Sequence, residues 1–115
     1  MNILNTKLQS CSFDPVTGYM RSGYCTYHPG DEGTHLVCAR VTKEFLEYTR
    51  SMGNDLTTPT KYFPGIKPGD KWCLCVHRWL QAYKAGVAPP IIFESSHSSI
   101  LKYVPIKVLL PYRTK

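Results

Sequence analysis

Within five positions, the stretch GDKWCLCVHRW (residues 69–79) offers two thiols, Cys73 and Cys75, and an imidazole, His77. These are the donors that bind zinc or carry out thiol chemistry. Cys11, Cys25, Cys38 and His35 add further donors upstream. Structural zinc sites normally take ligands in close pairs, C-x₂₋₄-C, because a tight turn presets two corners of the tetrahedron. Here the successive spacings among Cys11, Cys25, Cys38 and Cys73 are 14, 13 and 35 residues. A site built from these four with His35 is therefore not expected, and neither a metal nor a cofactor is. The thiols read instead as small buried hydrophobes. Five cysteines is an odd number, whereas a secreted disulfide scaffold normally shows an even set. Reduced thiols in an intracellular, reducing compartment (cytoplasm, mitochondrial matrix or plastid stroma) are the expectation.

Nucleophilic catalysis would need a thiol beside a base. His35 and His97 are the candidate bases, and Cys38, Cys11 and Cys25 the candidate nucleophiles. On a strand His35 and Cys38 would point to opposite faces, so His35 would need a cysteine from elsewhere. No nucleophile elbow or protease signature surrounds any of them. Polar residues in Pro/Gly-punctuated segments supply a second set. Arg21, Asp31, Asn54, Asp55 and Arg78 are the candidate ligand-binding residues, the two arginines suiting an anion. The competing reading for the Asp and Asn residues is local scaffolding, since such side chains bond their own backbone; GNDLTTP reads as a helix exit tied down in this way.

The elements that must position these groups follow from periodicity and punctuation. A short strand is expected over residues 3–8, then a turn-rich loop from Asp14 to Gly33. HLVCARV alternates as a strand. TKEFLEYTRSMG reads as a helix capped by Thr42, with Glu44 in its first turn and Gly53 at its end. In the opening stretch Trp72, Cys75, Val76, Trp79, Leu80 and Tyr83 recur at helical spacing, with Asp70 as N-cap and Gly86 as terminator. On that helix Cys73 and Cys75 lie about 200° apart and cannot grip one ion; Cys75 enters the core. Were residues 71–76 a strand, both thiols would share a face. The six apolar positions favour the helix. APPIIFES reads as a buried strand, SSHSSILKYV as a short helical turn, and PIKVLLPY as a last helix opened by Pro105. The sum is one domain over residues 1–115 of α+β class: a small, mainly antiparallel sheet packed against two principal helices, with long ordered Pro/Gly-rich loops.

No apolar run approaches the roughly 20 residues of a membrane span, and the start MNILNTKLQS lacks the regions of a secretory leader. The net charge of +6 is uneven. Residues 1–60 hold five Lys/Arg against six acids, net −1; residues 61–115 hold nine against two, net +7. That asymmetry suits an acidic or anionic partner, met through Lys102, Lys107, Arg113 and Lys115, with Lys61, Lys67 and Lys71 adjoining. No motif directs it toward nucleic acid.

The blocks CSFDPVTGYMRSGYC, DEGTHLVCA, EFLEYTRSMGNDLTTP, FPGIKPGDKWCLC and RWLQAYKAGVAPP together resemble a family of small bacterial and algal proteins, domain of unknown function 2237. The resemblance runs from about Asn2 to Leu110. It falls at Cys11, Asp14, Thr17, Gly18, Arg21, Cys25, Asp31, Gly33, His35 and Cys38, then at Asn54, Asp55, Pro59, Gly69, Asp70, Trp72, Cys73, Cys75, Arg78, Trp79 and His97. Tyr24 stands where the family commonly has a further cysteine, and Val76-His77 replaces small residues, so a Cys73/His77 pair is incidental. The resemblance implies no activity. Two functions are therefore expected in order: a non-enzymatic binding or accessory module, as a subunit of a larger assembly, that meets an acidic partner through the basic C-terminal half; and, second, a small-molecule enzyme or sensor with a Cys/His pocket among the loops.

Overall fold

The computed structural model describes residues 1–115. Its architecture is α+β: a four-stranded, mostly antiparallel open sheet with three α-helices. Strand β1 (His35–Arg40) leads to α1 (Lys43–Ser51), β2 (Lys71–Cys75) runs directly into α2 (Val76–Lys84), and β3 (Ile91–Ile92) precedes two 3₁₀ turns. Then come α3 (Ile106–Leu109), a further 3₁₀ turn and β4 (Arg113–Thr114). The strand order is β2-β1-β3-β4, with β1 antiparallel to both neighbours and β3 parallel to β4.

Local chemistry explains α1. Thr42 is extended, and its hydroxyl accepts the Phe45 N–H at 3.1 Å, satisfying one of the donors a helix start leaves open. Glu44 and Arg50 lie at the helix ends that suit their charges, and Gly53 leaves at φ +92. The opening stretch behaves differently from its helical reading. Residues 71–75 are a strand, and the helix begins only at Val76. Trp72 and Val76 fit an alternating pattern as well as a helical one, and Leu74 between them fits only the alternating one. The edge of β1 decides between them, pairing Val37 with Leu74, Cys38 with Cys73 and Ala39 with Trp72. Asp70 does not cap a helix; its carboxylate accepts from Lys67 N and closes the turn before β2.

Two smaller expectations also change. Residues 3–8 form no strand: Asn2 makes an isolated bridge to His97, and its buried side chain bonds Thr6, Lys7, Leu4 and Glu94. The strand in APPIIFES shrinks to Ile91–Ile92.

The sheet has two unlike faces. Because side chains alternate along a strand, Val37, Ala39, Trp72 and Leu74 share one face. They join the main core with Phe45, Leu46, Val76 and Trp79 from the helices. Trp79 is fully buried and donates its indole N–H to Pro89 O at 3.0 Å, which gives its one polar atom a partner. Cys38 and Cys73 occupy the opposite face as direct cross-strand neighbours. Residues 1–34 hold no helix and no strand beyond isolated bridges, and they reach this face through two disulfides, Cys11–Cys38 and Cys25–Cys73.

These disulfides correct the expectation of reduced cysteines in a reducing compartment. The odd number is two pairs plus one free thiol, Cys75. Disulfides form and persist in oxidising surroundings, so the pairing points to an oxidising environment. No helix is long and apolar enough to cross a membrane.

Candidate functional site

Beside β2, at the edge of the sheet, lies a cleft of about 590 Å³ whose walls include Arg21, His35, Asp55, Phe63, Trp72 and Cys73. It adjoins a hollow of about 240 Å³ that shares His35, Leu56, Trp72 and Cys73 and adds Asn54, Cys75 and Arg78. Residues from three separated segments, 18–35, 54–63 and 72–78, thus meet at one place.

His35 is the best-positioned titratable group. Its Nδ1 lies 2.7 Å from Asp31 Oδ1, while Asp31 Oδ2 accepts the His35 backbone N–H at 2.9 Å. The Asp31 side chain is 2% exposed and the His35 side chain 40%. A buried carboxylate therefore fixes a ring that solvent reaches. In the tautomer that gives Nδ1–H to Asp31, the lone pair is on Nε2, which no protein group engages. Gly33 lets the ring lie against the backbone, since a Cβ there would collide with His35 Cε1. Thr34, just before it, holds φ +49, and Arg21 holds φ +53. A left-handed conformation costs an ordinary residue about 1–2 kcal/mol. Such conformations persist only where the surroundings impose them, and they gather at binding sites.

Arg21 donates to Gly18 O at 2.8 Å, and its guanidinium lies 5.1 Å over the Trp72 ring. Arg78, half-buried, donates to Met52 O and Gln81 Oε1. Neither arginine has a carboxylate partner within 4.0 Å; Arg21 stands in the wall of the cleft, which also carries the Asp55 carboxylate, and Arg78 in that of the adjoining hollow. Asn54 and Asp55 are more occupied. Asn54 bonds Thr49, and Asp55 accepts from both Thr57 and Thr58, so this segment is the locally tied helix exit. The Thr58 hydroxyl, then the Thr57 N–H and hydroxyl, hold the Asp55 carboxyl far below the usual range, and Arg50 lies 3.7 Å from it.

The remaining candidates lie elsewhere. Cys11, Cys25 and Cys38 are buried in disulfides, so no thiolate is available at any of them in this state. His97 lies apart from the cleft, where its Nδ1 accepts from Ser99 N and caps a 3₁₀ turn. Burial, then the N-terminal ammonium and Lys102, hold its pKa below the ordinary 6.5. Lys102, Lys107, Arg113 and Lys115 are exposed. Arg113 is engaged by Glu94 at 3.5 Å and by the Phe93 ring at 5.4 Å. His77 packs on Tyr103, and Cys73 is spent on Cys25, so the two form no ligand pair.

One group was misplaced by the sequence reading. Cys75 is not in the core. It is half-buried at the end of β2, paired in register with His35 across the sheet, and lines the hollow as the molecule's free thiol. The signal for it was the alternating reading of residues 71–76, which was outweighed by the helical one.

An α+β protein with one sheet face under helices and the other cross-linked to a segment without helix or strand, with a cleft at the seam, is the class these features define. The chain matches over residues 1–113 the family described as "Uncharacterized protein conserved in bacteria (DUF2237)" and belongs to it. A comparison with curated proteins returns no match.

Proposed function

We propose that the cleft binds a small anionic molecule with a planar or aromatic part, and that His35 exchanges a proton with it. The observation that carries this reading is convergence. Arg21, Asp31, His35, Asn54, Asp55 and Arg78 are scattered over 58 positions of the chain, yet each lines the cleft or the adjoining hollow or, as Asp31 does, holds a residue that lines both. Arg21 and Arg78 supply charge, Trp72 and Phe63 supply apolar surface, and the His35–Asp31 pair supplies an oriented base. Cys75 adds a thiol within the same lining.

The test is an NMR titration of the disulfide-bonded protein with benzoate, phenyl phosphate and inorganic phosphate. The aromatic anions should shift the amide signals of Arg21, His35 and Trp72, and should bind more tightly than phosphate alone. Arg21→Gln should weaken that binding on the order of tenfold, the loss of one charge-assisted contact. Absence of any shift at these residues, or equal binding by Arg21→Gln, would refute the reading.

A second reading concerns the basic C-terminal half and membership of a larger assembly. It is favoured by the exposed apolar residues Leu101, Tyr103, Ile106 and Leu110 interleaved with the exposed Lys102 and Lys107. Such a mixed surface suits an acidic protein partner. Capture of a co-purifying partner at low salt, lost when Lys102 and Lys107 become Gln, is the outcome that supports it.

A further inference from the structure

We propose that Cys11, Cys25, Cys38 and Cys73 form a metal site in a second redox state: with both disulfides reduced, the four sulfurs bind one Zn²⁺. The sequence spacing argued against such a site because no close cysteine pair presets two corners of a tetrahedron. The fold supplies them in another way. Cys38 and Cys73 are direct neighbours across the antiparallel β1–β2 pair, on the face away from the helices. Each draws one loop cysteine onto that face, and the two pairs end side by side.

The sulfurs of Cys11, Cys25 and Cys38 all lie within 4.8 Å of one another, although Cys11 and Cys25 belong to different disulfides. Cys73 is bonded to Cys25 but lies outside that 4.8 Å group, so it is the fourth ligand only once its bond is cut and its side chain turns toward the other three. Zinc–sulfur bonds of about 2.3 Å place the sulfurs of a tetrahedral site roughly 3.8 Å apart. Between the pairs, Cys25 lies within 4.8 Å of both Cys11 and Cys38, so those sulfurs need to close by about 1 Å at most. Within each pair the sulfurs must part, and the Cα–Cα distances of 5.7 and 5.5 Å leave room to do so by side-chain rotation.

The surroundings suit a closed structural site. All four cysteines are at most 1% exposed and share a small apolar cluster with Ile92. Water and a fifth ligand are thereby kept out. The strand cysteines are held independently of their sulfurs: Ser96 Oγ accepts from Cys38 N, and Thr17 Oγ1 accepts from Cys73 N, both at 2.9 Å. Four soft donors with no carboxylate or imidazole among them select a d¹⁰ cation over magnesium or calcium. Zinc would also restore what reduction removes, the tie between residues 1–34 and the sheet.

The chemistry balances. Two equivalents of a dithiol reductant deliver four electrons and four protons, cleave both S–S bonds and leave as their own disulfides. Zn²⁺ then takes four thiolates, and the four thiol protons pass to solvent. Cys75 lies outside the quartet and stays a free thiol.

The full chain is reduced with a phosphine, desalted without oxygen, mixed with Zn²⁺ and read by native mass spectrometry and maleimide labelling. One zinc per chain is expected, with Cys75 labelled and the other four cysteines protected. Cys38→Ser and Cys73→Ser should each lose more than the roughly 10–100-fold that removal of an outer-shell partner costs a metal site. Cys75→Ser should bind as wild type does. If the reduced chain unfolds without metal, zinc should refold it, followed by circular dichroism. Three outcomes overturn the proposal: a reduced, folded chain that holds no zinc; an unfolded one that zinc does not rescue; or undiminished binding by Cys38→Ser.

Discussion

Removing the Cys25–Cys73 cross-link should cost about 4 kcal/mol of stability. The figure comes from the chain it closes. In the loop-entropy description the unfolded state gains about 2.1 + 1.5R ln n cal/mol/K on release. With a sequence separation of 48 this is about 14 cal/mol/K, or about 4 kcal/mol at 25 °C. Cys11–Cys38, with a separation of 27, gives about 3.6 kcal/mol. Either loss is large against the 5–15 kcal/mol that typically separates folded from unfolded chains. Alanine is the better replacement, because serine would bury hydroxyls at positions of 0% and 1% exposure. The assay is equilibrium urea unfolding of Cys25→Ala/Cys73→Ala, followed by Trp72 and Trp79 fluorescence, without reductant and with a chelator present. At roughly 4 °C per kcal/mol for a chain of this size, the melting point should fall by about 15 °C. A double variant that loses less than about 1 kcal/mol would refute the reasoning, since the unfolded chain would then gain far less freedom than the release of this loop predicts.

Asp31→Asn should cost about 1–3 kcal/mol, because one amide oxygen cannot serve both the backbone N–H and the ring of His35; urea unfolding measures the loss, and the His35 ring signals should show a reoriented imidazole. Thr42→Ala should destabilise by about 1 kcal/mol through the lost cap on α1, with circular dichroism showing a lower melting point and an unchanged fold. His97 has a folded-state pKa below its ordinary 6.5, so the unfolded chain takes up this proton first as pH falls. Its contribution is fully present above 6.5 and is lost as pH drops through the folded value; His97→Asn should flatten the stability–pH curve in that window, measured by thermal melts from neutral to acid pH.

How far residues spoke for themselves varied with how local their determinants were. Helix α1 was legible because Thr42, Glu44 and Gly53 act within one turn of the helix they bound. Strand β1 was legible as a short apolar run between the turn at Gly33 and the cap at Thr42, although both of its faces are buried and its register with β2 shifts between His35 and Val37. At Cys75 the chain passes from strand to helix with no glycine or proline to mark the change, so Trp72 and Val76 satisfied both periods and only pairing with β1 could choose. The disulfides were illegible for a stronger reason. Partners 27 and 48 residues apart are set by the sheet, and a surplus fifth thiol disguised the even set. Arg21, Asp31, Asn54, Asp55 and Arg78 stood out singly as polar loop residues, but nothing in their spacing announces a common cleft.

That cleft and the cross-links are one construction. Its first wall carries Arg21 and His35 on or beside a segment with no helix or strand of its own, and its second carries Trp72, Cys75 and Arg78 on β2 and α2. An irregular segment has little local stability to hold a wall in place. The Cys25–Cys73 bond joins the first wall to the second directly, four residues from Arg21 and next to Trp72. The Asp31–His35 contact closes the same seam from the other end, and the Thr34 carbonyl accepts the first N–H of α2 at 3.2 Å. Reduction of the disulfide should therefore loosen the cleft before it unfolds the helices, because Phe45, Val76 and Trp79 pack on the opposite face of the sheet and do not depend on it. Binding at the cleft, as proposed above, should therefore weaken on reduction of Cys25–Cys73, because both walls meet at the single strand β2.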